Sequence, residues 1–171
     1  AVAVPIAIGA FILATPLTLS FYGTEFLPSA KALWLLVLAA SVLFIYSPVN
    51  SLIISQQTKS ATKVTGFTLL FNLVFNLIFL PKYGFVAGAV ITVCSELIQL
   101  FCYTYIVKTK VLQFKFGRYF VKPAAAGILM GVILWTMPAF NVWLSVAIGG
   151  AIYTAALLLM KFFKRSDWEL F

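Results

Sequence analysis

Glu96 has the clearest capacity for chemistry in this sequence, because it is a carboxylate inside an apolar segment long enough to cross a bilayer. A charge within the hydrocarbon is costly, so intramembrane carboxylates mark transport paths or bind polar groups of neighbouring helices. Gln99 follows three residues later and shares the same helical face. We expect that face to point into protein or water, and the sequence leaves both roles of Glu96 open.

Two amides precede this carboxylate in the chain. Asn72 and Asn76 are four residues apart, so they stack on one face of a helix. The turn predicted at residues 81–84 is short, which makes the two apolar segments antiparallel neighbours whose polar faces can meet. The amides either line a transport path or satisfy helix contacts, at about 0.6 kcal/mol each.

A third amide, Asn50, lies two residues after Pro48. A proline lacks the backbone donor that the helix needs and kinks it, and Asn50 is predicted to bond to the backbone groups that the kink frees. These two residues are predicted to interrupt the far end of the second apolar segment. A kinked helix can also act as a gate, and the sequence does not separate the two roles.

The stretch 108–122 is rich in cations and aromatic side chains. This pattern suits a cytoplasmic loop that lies on an anionic membrane surface. Its cations could also be simple topology signals or a specific site for a lipid phosphate. They are Lys108, Lys110, Lys115, Arg118 and Lys122.

Composition excludes most other classes of protein. Of the 171 residues, 63% are hydrophobic and 9% are charged, whereas a soluble domain carries about 25% charged residues. The net charge of +8 comes from residues between apolar segments, which argues against nucleic acid as a partner. The chain has no histidine, no phosphate-binding loop and no metal-ligand spacing. We therefore predict an integral membrane protein with no catalytic residues, metal or cofactor.

The apolar segments predict an all-α polytopic bundle of six transmembrane spans. Residues 1–107 hold four spans, residues 108–122 form the basic loop, and residues 123–171 hold two spans and a short tail. The predicted spans cover about 1–22, 32–55, 64–80, 84–107, 123–137 and 142–160.

The cations are distributed unevenly between the two sides of this bundle. With six spans, ten lysines and arginines fall on one side and two, Lys31 and Lys82, on the other. Positively charged loops favour the cytoplasm. The count therefore predicts a multi-pass protein of the cytoplasmic membrane with both termini in the cytoplasm.

The hairpin 72–96 resembles that of polysaccharide flippases of the multidrug/oligosaccharidyl-lipid/polysaccharide exporter superfamily. In that family an amide-rich helix ends in a Pro-x-Tyr-Gly turn, and small residues and a threonine come after the turn. The similar residues here are Asn72, Asn76, Pro81, Tyr83, Gly84, Gly88, Ala89 and Thr92, with Val90 in place of an alanine. The opening stretch 4–33, a helix and the loop after it, is also similar, at Pro5, Gly9, Pro16, Tyr22, Gly23 and Ala32.

The resemblance covers residues 2–107 and extends to the last two spans by position and hydropathy. It implies the last six spans of a twelve- to fourteen-span transporter, whose other spans come from a missing N-terminal half or a partner chain. Such a transporter moves a lipid-linked sugar across the bilayer by alternating access. Glu96, Asn72, Asn76 and Gln99 would then line or brace the path.

Three alternatives stay open at the level of sequence. The chain could belong to a cation-coupled antiporter of drugs or small molecules in the same superfamily, with Glu96 as the coupling carboxylate. It could be a membrane subunit of an enzyme that assembles polysaccharide, which would need a water-facing catalytic loop elsewhere. It could also be a membrane scaffold that transports nothing.

Overall fold

The computed structural model describes residues 3–110, 117–137 and 141–160, and these residues form a bundle of α-helices with no strand among them. A short 3₁₀ turn, Thr24–Phe26, connects the first two helices. The predicted all-α bundle is confirmed. Its helices are α1 Ala3–Tyr22, α2 Ser29–Gln56, α3 Thr58–Tyr83, α4 Phe85–Lys110, α5 Gly117–Thr136 and α6 Val142–Leu159.

Within these ranges, five helices are long and apolar enough to cross a membrane, namely α1, α2, α3, α4 and α6. The apolar part of α5, Val121–Thr136, is shorter, about 24 Å at the helical rise against a hydrocarbon core of about 30 Å. The bundle thus has the character of a membrane-embedded protein.

The bend between α3 and α4 is tighter than the sequence indicated. Pro81 lies inside the last turn of α3, and the chain reverses at Gly84 alone, with a φ of 69° and a ψ of −166°. The backbone N–H of Gly84 donates to the carbonyl of Leu80 at 2.9 Å and closes the helix. This backbone conformation is essentially restricted to glycine, which explains why the turn needs one residue rather than four.

The predicted interruption of α2 at Pro48 and Asn50 was wrong, since the helix continues to Gln56. Beyond the proline, Val49 and Ile53 are buried in a cluster with residues of α4. Burial of such side chains is favourable and compensates for one missing backbone hydrogen bond.

The predicted basic loop at 108–122 is also shorter in the structure. α4 extends to Lys110 and α5 begins at Gly117, so Lys108 and Lys110 end one helix while Arg118 and Lys122 begin the next. Lysines tolerate this position because their long side chains reach the interface from a helix end.

Packing divides the helices into two groups that α1 and α2 connect. One group, α2 with α3 and α4, closes around a core in which Ile53 and Tyr103 are almost fully buried. The other group, α1 with α5 and α6, closes around Ala126, Met130 and Tyr153. The first group contains Asn50, Asn72, Asn76, Glu96 and Gln99.

α3 is the outermost helix of the first group. Its buried residues are Ala61 and Thr68, both on the side that faces α2 and α4. Its large apolar side chains, such as Leu73 and Leu77, are exposed, as expected for a helix in contact with lipid. Any groove along the inner edge of α3 therefore has an open side.

Successive helices alternate in direction, so the ends of α2 and α4 and the starts of α3 and α5 lie together. We call this the lysine-rich end, because Lys59, Lys63, Lys108 and Lys122 lie there. The Lys122 Nζ donates to the carbonyl of Met160 at 2.8 Å, which connects the start of α5 to the end of α6.

Candidate functional site

Side-chain hydrogen bonds connect the middle of α3, residues 65–72, to residues 95–103 of α4. The Thr65 and Tyr103 hydroxyls lie 2.9 Å apart, Thr68 Oγ1 donates to Gln99 Oε1 at 3.0 Å, and Asn72 Nδ2 donates to Ser95 Oγ at 3.1 Å. Steps of three and then four residues along α3 are matched by two steps of four residues back along α4. This register is what a hairpin with a one-residue bend requires, so the position of Gly84 determines which polar residues meet.

Glu96 brings the third helix into this network. The Tyr46 hydroxyl of α2 donates to Glu96 Oε2 at 2.6 Å, and the Tyr46 ring packs edge-to-face on Tyr103 at 5.6 Å between centroids. Glu96 lies about 17 Å from the start of α4 at the helical rise, close to the middle of a bilayer core. A carboxylate and two phenols are therefore held together deep in the bundle.

A pocket of about 250 Å³ opens beside this network. We call it the polar pocket, since seven of the eight side chains that line it carry oxygen or nitrogen. The structure brings three predicted residues, Asn72, Glu96 and Gln99, together here. The lining residues are Thr65, Thr68, Leu69, Asn72, Thr92, Ser95, Glu96 and Gln99.

Asn76 lies one helical turn after Asn72 on α3, outside the pocket, and holds the Asn72 side chain in place. Its Nδ2 donates to the backbone carbonyl of Asn72 at 2.8 Å and to Asn72 Oδ1 at 3.0 Å. Gly88 of α4 faces it, and a Cβ at Gly88 would lie only 3.1 Å from Asn76 Oδ1 and 3.0 Å from Leu80 Cδ1. The absence of a side chain at Gly88 lets the two helices approach closely here.

The other predicted site residues lie elsewhere. Asn50 is half-buried on α2, one turn beyond Tyr46, and does not line the polar pocket. Lys108 and Lys122 are exposed at the lysine-rich end. The side chains of Lys110 and Arg118, and the whole of Lys115, lie outside the described part of the chain.

A second cavity, of about 470 Å³, lies between the polar pocket and the lysine-rich end. Thr65 and Leu69 line both, so the two cavities are adjacent. We call it the threonine groove because Thr58, Thr62 and Thr65 follow one edge of α3. The hydroxyls of Thr58 and Thr62 donate to carbonyls one turn earlier, at 2.7 and 3.0 Å, and their oxygens keep acceptor capacity.

Sequence reasoning overlooked Tyr46 and the threonines. The threonines did leave a signal, since Thr58, Thr62, Thr65, Leu69 and Asn72 are spaced four, three, four and three residues apart, along one face of a helix. Tyr46 left none, because its partner is 50 residues away in sequence.

The opposite side of the α3–α4 seam carries aromatic residues. Phe71, Phe75, Phe79 and Tyr83 recur every fourth residue and stack, with centroids 4.3, 5.9 and 6.0 Å apart. They line a cavity of about 560 Å³ together with apolar residues of α4 and Cys94. This cavity has no amide or carboxylate, so the polar residues of the hairpin are concentrated on one side.

The arrangement at the polar pocket is suited to hydrogen bonding. In the described residues, no three histidine, cysteine or acidic side chains gather to hold a metal ion. Glu96 Oε1 and the amide nitrogen of Gln99 have no partner within residues 3–110. The pocket thus offers one strong acceptor and a two-proton donor to a ligand.

The chain matches no protein family, no curated protein and no solved structure in the comparisons made. Its function is therefore argued from the chemistry of the polar pocket and its surroundings.

Proposed function

We propose that the chain is the membrane-embedded part of a transporter that moves a lipid-linked oligosaccharide from one leaflet to the other. The observation that carries this proposal is the polar pocket around Glu96, placed halfway along helices that are otherwise apolar. A sugar head group cannot cross hydrocarbon without partners for its hydroxyls. A polar pocket at that depth supplies them, while the lipid tail stays in the bilayer.

The threonine groove supports the same proposal, because it provides an approach to the pocket from the lysine-rich end. We assign that end to the cytoplasm, where positive charge concentrates, and the membrane to the cytoplasmic membrane. α3 has few buried residues, so the groove beside it has an open side. The sugar would enter there and exchange water for the hydroxyl and amide groups of α3 and α4.

Alternating access requires a second body of helices that closes over the pocket. As the resemblance to polysaccharide flippases implies, we propose that a further part of the protein or a partner chain supplies it. The exposed edge of α3, beside Thr62 and Thr65, is the side of the pocket that such helices would cover.

The test is a flipping assay with the full-length protein in liposomes, with a fluorescent lipid-linked oligosaccharide and a membrane-impermeant quencher. Asn72→Leu should slow flipping about three-fold, since one polar contact in a membrane is worth about 0.6 kcal/mol. Asn50→Leu makes the same change outside the pocket and should leave the rate unchanged. Equal rates for both variants, or flipping at the rate of protein-free liposomes, would overturn the proposal.

A second candidate, a cation-coupled antiporter of small molecules, is favoured by one observation. The polar pocket has a carboxylate and no lysine or arginine among its lining residues, which suits a cationic substrate or a coupling ion. Glu96→Gln separates the two candidates. Coupled antiport should collapse in that variant, whereas uncoupled flipping should largely survive.

A further inference from the structure

The positive charges of this hairpin are separated from its polar pocket. Along α4, Lys108 is about 18 Å from Glu96 at the helical rise, and along α3, Lys63 is about 14 Å from Asn72. Every lining residue of the pocket is neutral except Glu96. A phosphate placed in the pocket would meet a carboxylate with no cation beside it.

The free hydrogen-bonding groups of the pocket fit a different ligand. Glu96 Oε1 is an acceptor and the amide nitrogen of Gln99 is a donor, and neither has a hydrogen-bond partner within residues 3–110. Asn72 Nδ2 donates one hydrogen bond to Ser95, which keeps the other amide of the site in place. An acceptor next to a donor is the arrangement that a sugar hydroxyl satisfies, because a hydroxyl both donates and accepts.

We infer that the polar pocket binds the uncharged, hydroxyl-bearing part of the head group, and that the phosphate of the same lipid lies at the lysine-rich end while the sugar occupies the pocket. The inference rests on the proposed function only in taking a lipid-linked sugar as the substrate. It assigns the neutral sugar to Glu96 and Gln99, and the phosphate to cations at the end of the threonine groove. Residues at the middle of the membrane then select the sugar. Cations at the membrane surface bind the phosphate.

The test uses the full-length protein in nanodiscs of phosphatidylcholine and an octyl glucoside that carries a photoreactive diazirine on the sugar. Labelled residues are mapped by mass spectrometry after irradiation. Labelling should fall in residues 65–72 and 92–99. Unlabelled octyl glucoside should suppress it, while octyl phosphate and octyltrimethylammonium at the same concentration should not.

Two variants make the assignment specific. Gln99→Met removes the donor at similar length and should weaken competition by octyl glucoside about ten-fold, the ratio expected for loss of a hydrogen bond in a site of this kind. Gln56→Met makes the same change at the exposed end of α2 and should have no effect. Equal effects of the two variants would overturn the role of Gln99.

The competitors decide between ligand classes. Suppression by octyl phosphate at lower concentration than octyl glucoside would overturn the inference, and suppression by octyltrimethylammonium would show a cation site instead. Failure of this inference and failure of the proposed function would give different results. Sugar-selective labelling without flipping would refute only the transport proposal, and flipping with phosphate-selective labelling would refute only this inference.

Discussion

The Tyr46 hydroxyl and Glu96 Oε2 are 2.6 Å apart and join α2 to the middle of α4. Tyr46 is buried, with 4% of its surface exposed, so this hydrogen bond has little competition from solvent. The hydrogen bond has two effects. It gives the Glu96 carboxylate a partner, which avoids the free-energy cost of an unpaired polar group. The other is positional, because the bond turns one Glu96 oxygen toward α2 and leaves the second oxygen for the pocket.

Tyr46→Phe should therefore destabilise the protein by about 1–3 kcal/mol, the cost of leaving a buried polar group without its partner. The ring remains, so its packing on Tyr103 is preserved. Unfolding by denaturant in bicelles measures the difference. Tyr105→Phe is the matched control, since Tyr105 is on the same bundle but 71% exposed, and its unfolding free energy should not change.

A double variant checks that the effect passes through Glu96. If the hydrogen bond is responsible, Tyr46→Phe should cost much less in a Glu96→Leu background, because the carboxylate is already gone. An equal cost in both backgrounds would show that the Tyr46 hydroxyl stabilises the protein by another route.

Close approach of α3 and α4 depends on Gly88. A Cβ there would lie 3.0 Å from Leu80 and 3.1 Å from Asn76, so Gly88→Leu should separate the helices and cost about 1–3 kcal/mol, as overpacking does. Gly66→Leu is the control, because nothing lies within 4 Å of a Cβ at Gly66. Fluorescence energy transfer between labels on α3 and α4 should fall for the Gly88 variant alone.

The bend at Gly84 has a φ of 69° and a ψ of −166°, a region that residues with a Cβ avoid. Gly84→Ala should destabilise the hairpin by about 1–3 kcal/mol through strain alone, since no atom lies within 4 Å of a Cβ there. Gly150→Ala also places a Cβ in open space, but inside α6 and without a positive φ, so in the same unfolding measurement it should not destabilise the protein and could stabilise it by up to about 1 kcal/mol. A neutral Gly84→Ala would mean that the chain can turn by another conformation.

The helices and the pairing of α3 with α4 could be predicted from the sequence, because both follow from local features. Apolar length predicts a span, and a short turn between two spans makes them neighbours. The same features placed Asn72, Glu96 and Gln99 on facing surfaces. Asn50 was predicted to act at a kink at Pro48, as a partner of freed backbone groups or in a gate, and the packing of α2 places it outside the pocket.

The parts that were not predicted depend on packing between distant segments. Nothing near Tyr46 in the sequence indicates that its hydroxyl reaches Glu96, because that contact needs the docking of α2 on α4. Continuity of α2 through Pro48 has the same origin, since burial of Val49 and Ile53 beyond the proline compensates for the missing backbone donor.

The threonine groove predicts where water reaches the interior of the hairpin. Thr62 and Thr65 line it, whereas Leu77 lies on the lipid-facing side of α3 with 70% of its surface exposed. The variants Thr62→Cys, Thr65→Cys and Leu77→Cys are made in a background without Cys94 and Cys102. The first two should react with a membrane-impermeant maleimide at least about ten times faster than the third. The reason is that the thiolate is the nucleophile, and a thiol in hydrocarbon does not ionise. Stopped-flow or quenched labelling of the full-length protein in liposomes gives the rates. Similar rates at all three positions would mean that lipid or another helix fills the groove, and that it does not serve as an aqueous approach to Glu96.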